Sequence, residues 1–455
     1  MNADIGDEVL MGMGIEAVRS QEGGFDILTP GSRISLRADG MLTVQQLIGA
    51  NRKLVSCNLP AHLSPWRLSR RTPFRCALEG NGLCLTVQGD SVLIFAPQQH
   101  LRLTFRGHFR PSYSREVRGN RLILDPLGGC GFYAIPPRPT HVDNLEGEVW
   151  DLSTHLARWD ELWLSICPPR PSDRERAYQS IAHEGGSTPE EAYPSDEIIH
   201  SAAEHCQIFT VHERWAADAP AWAENPPGAD YTHPKPWETD HPVPDDPAEF
   251  ARVRDEVHRC GMKFLVYFSP YYSNAPDLFG EMERVLDEYG ADGLYFDGWL
   301  GVRDDFRVGY HLMRRARAIL GDRVLYLHSS SEPFGTCAVY LPFVYAYADF
   351  VLSGEAGRSG LEIDEFLRYT VSGHQISNAV GLWCHYGSWS DEPGYHAIVP
   401  TTQHIECALR NRVRIWRQTQ SWSRFPEELA RFDRKYYGRL MELRKGEPGN
   451  HEGST

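Results

Sequence analysis

Long uninterrupted apolar runs are missing from these 455 residues. No stretch approaches the ~18 residues a membrane-spanning helix needs, so no membrane partner is expected. The opening segment, MNADIGDEVLMGMGIEAVRSQEGG, lacks a basic flank followed by an apolar core. No secretory leader is expected from it, and a cytoplasmic address follows. Cysteine is scattered: the ten residues (Cys57, Cys76, Cys84, Cys130, Cys167, Cys206, Cys260, Cys337, Cys384, Cys407) contain no C-x-x-C pair. They read as reduced small hydrophobes rather than disulfide partners or zinc ligands. Excess positive charge is also missing. Forty-six Lys and Arg stand against 61 Asp and Glu, a net charge of −15. That argues against nucleic acid as a partner, because phosphate contacts need clustered cations. The phosphate-cradling G-x-x-x-x-G-K-[ST], the nucleophile elbow G-x-S-x-G and the metal motif H-E-x-x-H are all absent.

What remains is a globular composition, 41% hydrophobic and 24% charged, at a length that suits two or three domains. Residues 22–140 run in short strand-period segments (FDIL, SRISLRA, MLTVQQLI, LCLTVQ, SVLIFA, LRLTFRG, RLILD) broken by TPGS, ADG, EGNG, QGD and RGN. This pattern predicts an all-β sandwich over 1–150, with the Pro-rich stretch 134–150 as its boundary. Beyond it, short apolar strands alternate with helix-period segments, which predicts βα units and a parallel sheet over 151–420. The candidate strands are 161–167, 207–213, 262–269, 292–297, 323–329, 348–355 and 378–385, with AIVP (397–400) a weak last one. The expected fold is α/β: a (β/α)₈ TIM-like barrel behind the sandwich. An open doubly wound sheet is the competing arrangement, but its Gly-rich loop after the first strand is missing. Helices are expected at 247–260, opened by Asp246-Pro247, and at 276–289. Residues 421–455 read as a C-terminal helix followed by a disordered tail.

In such a barrel the C-terminal ends of the strands face the substrate. Asp297 closes the apolar strand GLYFD, where the pleat puts Tyr295 and Asp297 on one face and Leu294 and Phe296 on the other. A carboxylate in that position needs partners or work. Asp292, at the start of the same strand, reads as structural. Glu355 closes FVLSGE between Gly354 and Gly357, with Arg358 able to pair with it, and Glu332 in HSSSEPFG is the rival acid. Two carboxylates across a barrel mouth suit cleavage of a glycosidic bond: one protonates the leaving oxygen, the other attacks the anomeric carbon or activates water. Flat rings at or just past strand ends (Trp215, Tyr267, Tyr271, Trp299, Trp383, Trp389) could cover a sugar face, and His212, His328 and His385 could bind its hydroxyls. Each of these also has an ordinary structural reading, as core aromatic or satisfied histidine.

The runs VHERW, NPPGADYTHPKPWETDHPVP, DPAEFARVRDEVHRCGMKFLVYFSPYY and GADGLYFDGW together resemble the barrel core of the retaining α-glycosidases, of the α-galactosidase and α-glucosidase type. The resemblance spans 205–357 at motif level. It implies a nucleophilic Asp ending the fourth strand and an acid/base carboxylate ending the sixth; here those are Asp297 and Glu355. It also implies an N-terminal β domain framing the mouth. The chain departs from that group in placing Glu where Asp is common at the acid position. The expectation is therefore a glycoside hydrolase that needs no cofactor and takes a carbohydrate substrate. Asp297 and Glu355 would be catalytic, and His212, Glu213, Trp215, Tyr267, Tyr271, Trp299, His328, Glu332, Arg358 and His385 would line the sugar site. The alternatives are a barrel that binds carbohydrate without cutting it, and a metal-dependent lyase, isomerase or hydrolase using His212, Glu213 and His328.

Overall fold

The structure is a computed structural model that describes residues 7–184, 193–212, 214–215, 240–270, 273, 275–297, 306–329, 341–353, 362–372, 378–383 and 399–446. Two antiparallel sheets of eight strands each occupy the N-terminal part and face one another as a sandwich. The first runs Ala17–Gln21, Gly24–Leu28, Ser32–Leu36, Met41–Gln46, Arg52–Asn58, Leu101–Gly107, Trp150–Leu156 and Thr140–Asp143 in spatial order. Tight turns set its register. Glu22 and Gly23, at φ 44° and 81°, join strands in which Gln21 faces Gly24, the two-residue loop that matches the twist of a hairpin. Strict alternation follows in LRLTFRG, whose odd positions are buried and even positions exposed. The buried faces interlock through Ile34, Val44, Leu85, Phe95, Phe105, Phe132 and Trp150. Gly107 lies directly across from Trp150, and a Cβ on it would fall 1.9 Å from the indole.

The second sheet runs Tyr113–Val117, Asn120–Asp125, Gly128–Ile135, Glu161–Cys167, Val92–Pro97, Leu83–Gln88, Arg75–Gly80 and Arg67–Arg71. Sandwich strands thus continue to Cys167, and ELWLSIC, expected to open the parallel sheet, is antiparallel to Gly128–Ile135 and Val92–Pro97. The reason is double burial. One face of this strand enters the sandwich core, while Trp163 on the other packs against Phe306, Tyr310 and Phe343 of the following domain. A strand covered on both faces loses alternation and reads like a parallel one.

The third sheet holds eight parallel strands in chain order: Ile181–Glu184, Ile208–Val211, Lys263–Phe268, Gly293–Phe296, Val324–His328, Phe350–Leu352, Val380–Trp383 and Arg414–Ile415. The sheet curls until Arg417, just past the last strand, bridges Ala182 in the first through His183 N–H to Arg417 O (2.9 Å) and Arg417 N–H to Ile181 O (2.8 Å). The first strand, IAHE, was hidden by its own polar residues, and the last spans two residues. Neither coincides with the expected 161–167 or 397–400, and Val399 and Pro400 are not in a strand. Ile181–Glu184 takes the first place that 161–167 was expected to hold, so Asp297 still follows the fourth strand.

Helices cover the outside of this sheet, among them Asp196–Ala203, Pro247–Arg259, Leu278–Glu288, Phe306–Leu320 and Thr402–Arg410. Asp246 caps Pro247–Arg259 by accepting from the amides of Ala248 (3.0 Å) and Glu249 (3.1 Å), with Pro247 in the first turn. The C-terminal helix Pro426–Gly446 buries Phe432, Tyr436, Tyr437 and Leu440, and its Asp433 accepts from Nε and Nη2 of Arg417 at 3.0 and 2.9 Å. The sandwich docks through a hairpin tip: buried Asp90 accepts from Tyr310 (2.6 Å) and Tyr347 (2.8 Å). Among the described residues no helix is long and apolar enough to cross a membrane. The eight described cysteines are free, six of them buried.

Filling the space opposite Trp150 tests this packing. Gly107→Ala is expected to lower stability by about 1–3 kcal/mol, read as a lower urea midpoint at unchanged slope. An unchanged midpoint would mean the indole is not confined there.

Candidate active site

Asp297 follows the fourth parallel strand directly, and its backbone is tied to the end of the third. Its amide donates to Phe268 O (3.2 Å), and Ser269 Oγ donates to its carbonyl (2.9 Å). The carboxylate is mostly buried and faces the strands on either side. His328, the last residue of the fifth strand, brings Nδ1 to 2.5 Å from Oδ1. His212, just past the second strand, holds Nε2 3.9 Å from Oδ2. A carboxylate only accepts, so the His328 contact fixes the proton of that imidazole on Nδ1. The phenol of Tyr295, 3.1 Å from the same nitrogen, then has Asp297 Oδ1 as its acceptor at 3.4 Å.

Beneath this pair lies a floor of rings built by register. Tyr267 pairs with Tyr295 and Tyr295 with Tyr326 across the third, fourth and fifth strands. Side chains in one register point the same way, so these buried rings stand in a row with centroids 5.9 and 4.5 Å apart. The row meets His183, from the first strand, whose ring lies 4.7 Å from Tyr295, 4.9 Å from His212 and 4.1 Å from Trp416. Burial, with the nearby His212 and His328, pushes the His183 pKa well down and so favours the neutral imidazole.

Of the expected site residues, the structure brings Asp297, His212, His328 and Tyr267 together, Tyr267 as part of the floor. It places Trp215 elsewhere. That indole is 2% exposed, packs between Phe250 and Tyr289 and donates to Tyr267 O at 3.0 Å, so it offers no face to a ligand. Glu213, Tyr271, Trp299, Glu332, Glu355, Arg358 and His385 lie outside the described residues. Asp292 does structural work: it accepts from the amide of Phe264 (2.9 Å) and faces His258 at 2.8 Å. His183, Tyr326 and Trp416 are not among the residues expected at the site, and Tyr295 is expected only to share a face with Asp297. A signal existed for two of them. Tyr295 sits two residues before Asp297 and Tyr326 two before His328, and each pair shares a face.

A resident metal was the rival expectation here. Among the described residues, the only three His, Cys, Asp or Glu donors within 4.8 Å of one another are His200, Glu256 and Cys260, on the outer helices. Among the described residues the histidines around Asp297 do not converge in that way, and Glu213, the third ligand of that expectation, lies outside them.

No protein-family model matches this chain, and no curated protein matches it. Solved structures similar to it include a GH31 family sulfoquinovosidase from E. rectale, at TM-score 0.46 and 8% identity over 94% of this chain and 84% of that one. A GH31 alpha-xylosidase from Xanthomonas citri matches at TM-score 0.37 and 10% identity, over 94% and 71%. A cycloalternan-degrading enzyme from Trueperella pyogenes matches at 0.41 and 11%, over 93% and 72%. Likenesses of this order leave function to be read from the side chains themselves.

Glu184, beside His183, points away from the ring floor and supports the site from behind. Its carboxylate accepts from the amides of Thr419 and Gln420, which open a short helical turn, the second at 2.8 Å. Burial pushes its pKa up to about 7 from 4.5, against the pull of these hydrogen bonds and of Arg417. A carboxyl whose pKa is higher in the folded chain binds its proton preferentially there. Its contribution to stability is therefore present below pH 4.5 and lost as pH rises to about 7. Relative to Glu184→Gln, the unmodified protein should lose on the order of 3 kcal/mol of unfolding free energy across that window. Parallel profiles of the two proteins in denaturant titrations would contradict this.

Proposed function

We propose that this protein is a glycoside hydrolase of the retaining type, with Asp297 as nucleophile and Glu355 as general acid/base. The observation that carries the reading is the setting of Asp297. A carboxylate at the end of a parallel strand is oriented by His328 and Tyr295, flanked by His212, and backed by a floor of tyrosines. Oriented carboxylates among rings and imidazoles are what attack on an anomeric carbon requires. The bridge between Ala182 and Arg417 supports reading the curled sheet as a (β/α)₈ barrel, in which such a residue faces the substrate mouth.

Glu355 enters by position in the chain. It follows the sixth strand, Phe350–Leu352, by three residues, and one strand separates the sixth from the fourth. Neighbouring strands stand about 4.8 Å apart, so the two strand ends are about 10 Å apart. Carboxylates leaning toward each other across that gap can reach the separation of about 5–5.5 Å that retention needs. The first step forms a bond from Asp297 to the anomeric carbon while Glu355 protonates the departing oxygen. In the second, Glu355 takes a proton from water, whose oxygen bonds to the anomeric carbon as the bond from that carbon to Asp297 breaks.

Release of nitrophenol from a panel of aryl glycosides tests the reading. The unmodified protein should hydrolyse at least one of them, and Asp297→Asn and Glu355→Gln should each lower kcat/KM on it by more than about a hundredfold. Full activity in Asp297→Asn would overturn the mechanism.

A further inference from the structure

On the outer face, two neighbouring helices bring a nitrogen, an oxygen and a sulfur ligand to one place. His200 lies in the last turn of Asp196–Ala203. Glu256 lies in Pro247–Arg259, and Cys260 is that helix's C-cap. Glu256 and Cys260 are four residues apart and so share a face. One donor atom from each of the three residues lies within 4.8 Å of the others. Tetrahedral coordination with bonds of 2.0–2.3 Å sets ligand atoms about 3.6 Å apart, within reach of small side-chain rotations.

A cation already occupies this corner. Arg259 hydrogen-bonds to Glu256 Oε1, and its Nη2 lies 3.0 Å from His200 Nε2, which itself contacts Glu256 Oε1. One imidazole nitrogen cannot both donate to the carboxylate and accept from the guanidinium. Protonated at Nε2, the imidazole donates to the carboxylate and only crowds the guanidinium; accepting from the guanidinium instead, it sets its lone pair against that of Glu256, so one of the two contacts is always unfavourable. The Arg259 side chain is 64% exposed, against 13% for Glu256, and an ion pair with one member in solvent is weakened by screening and side-chain entropy. The guanidinium can leave for solvent.

We propose that His200, Glu256 and Cys260 form a Zn(II) site, completed by water, that pins these two helices together. Thiolate, imidazole and carboxylate in one set select a borderline ion and not Mg(II) or Ca(II). Binding releases the Cys260 proton to solvent and displaces Arg259. The site is separate from the Asp297 mouth and does not depend on the glycosidase reading.

Titration of the metal-free, full-length protein with Co(II), then Zn(II), tests it. One equivalent of Co(II) should give a thiolate charge-transfer band and intense tetrahedral visible bands, both lost on adding Zn(II). Cys260→Ser should lose the charge-transfer band, and both Cys260→Ser and His200→Ala should weaken Zn(II) binding by more than about tenfold, the least that even an outer hydrogen-bond partner contributes. Arg259→Ala, which removes the competing cation, should bind Zn(II) more tightly, and this gain cannot arise from misfolding. No band in the unmodified protein, a band that persists in Cys260→Ser, or unchanged affinity in Arg259→Ala would overturn the site.

Discussion

In a parallel sheet every strand ends on the same side, and that rule gathers His212, Asp297 and His328 on one rim although they span 117 positions of the chain. Register then does the finer placement. Tyr267, Tyr295 and Tyr326 stand opposite one another in three adjacent strands, so Asp297 and His328, each two residues further on, emerge side by side above them. The 2.5 Å contact between Asp297 and His328 follows from that register. A one-residue slip of one strand against the other would put the two side chains on opposite faces of the sheet.

The sandwich belongs to the same mechanical unit. The helix after the fourth strand, Phe306–Leu320, is gripped by Trp163 of the second sandwich sheet, and its Tyr310 is anchored on Asp90. Burial raises the Asp90 pKa, while the two phenols and Arg314 work against that rise. A buried polar anchor of this kind stabilises only one docking geometry, because a shifted interface would strand its hydrogen bonds. The segment that carries Asp297 is thereby held by its neighbouring strands on two sides and, through its helix, by the other domain.

Much of this was legible in the sequence, for reasons that can be named. The fourth strand announced itself because Tyr295 and Asp297 alternate with Leu294 and Phe296, and the helix Pro247–Arg259 because Asp246-Pro247 caps it. The first and last parallel strands were illegible. IAHE carries two buried ionisable residues, His183 and Glu184; the Glu184 carboxylate is satisfied by the distant amides of Thr419 and Gln420 and the strand's backbone by Arg417, and Arg414–Ile415 is too short to show any period. Glu161–Cys167 was given to the wrong sheet because burial on both faces erases the signal that separates the two kinds of strand. Trp215 shows the limit for single aromatics: a ring near a strand end reads the same whether it meets a ligand or, as here, a helix.

The most direct test of the account is covalent trapping at Asp297. Incubation with an activated 2-deoxy-2-fluoro glycoside of a sugar the protein hydrolyses, followed by peptide mapping by mass spectrometry, should place one glycosyl adduct on the Asp297 carboxylate, with no adduct in Asp297→Asn. An adduct on a different carboxylate would contradict the central claim, as would steady hydrolysis of that sugar with Asp297 left unlabelled.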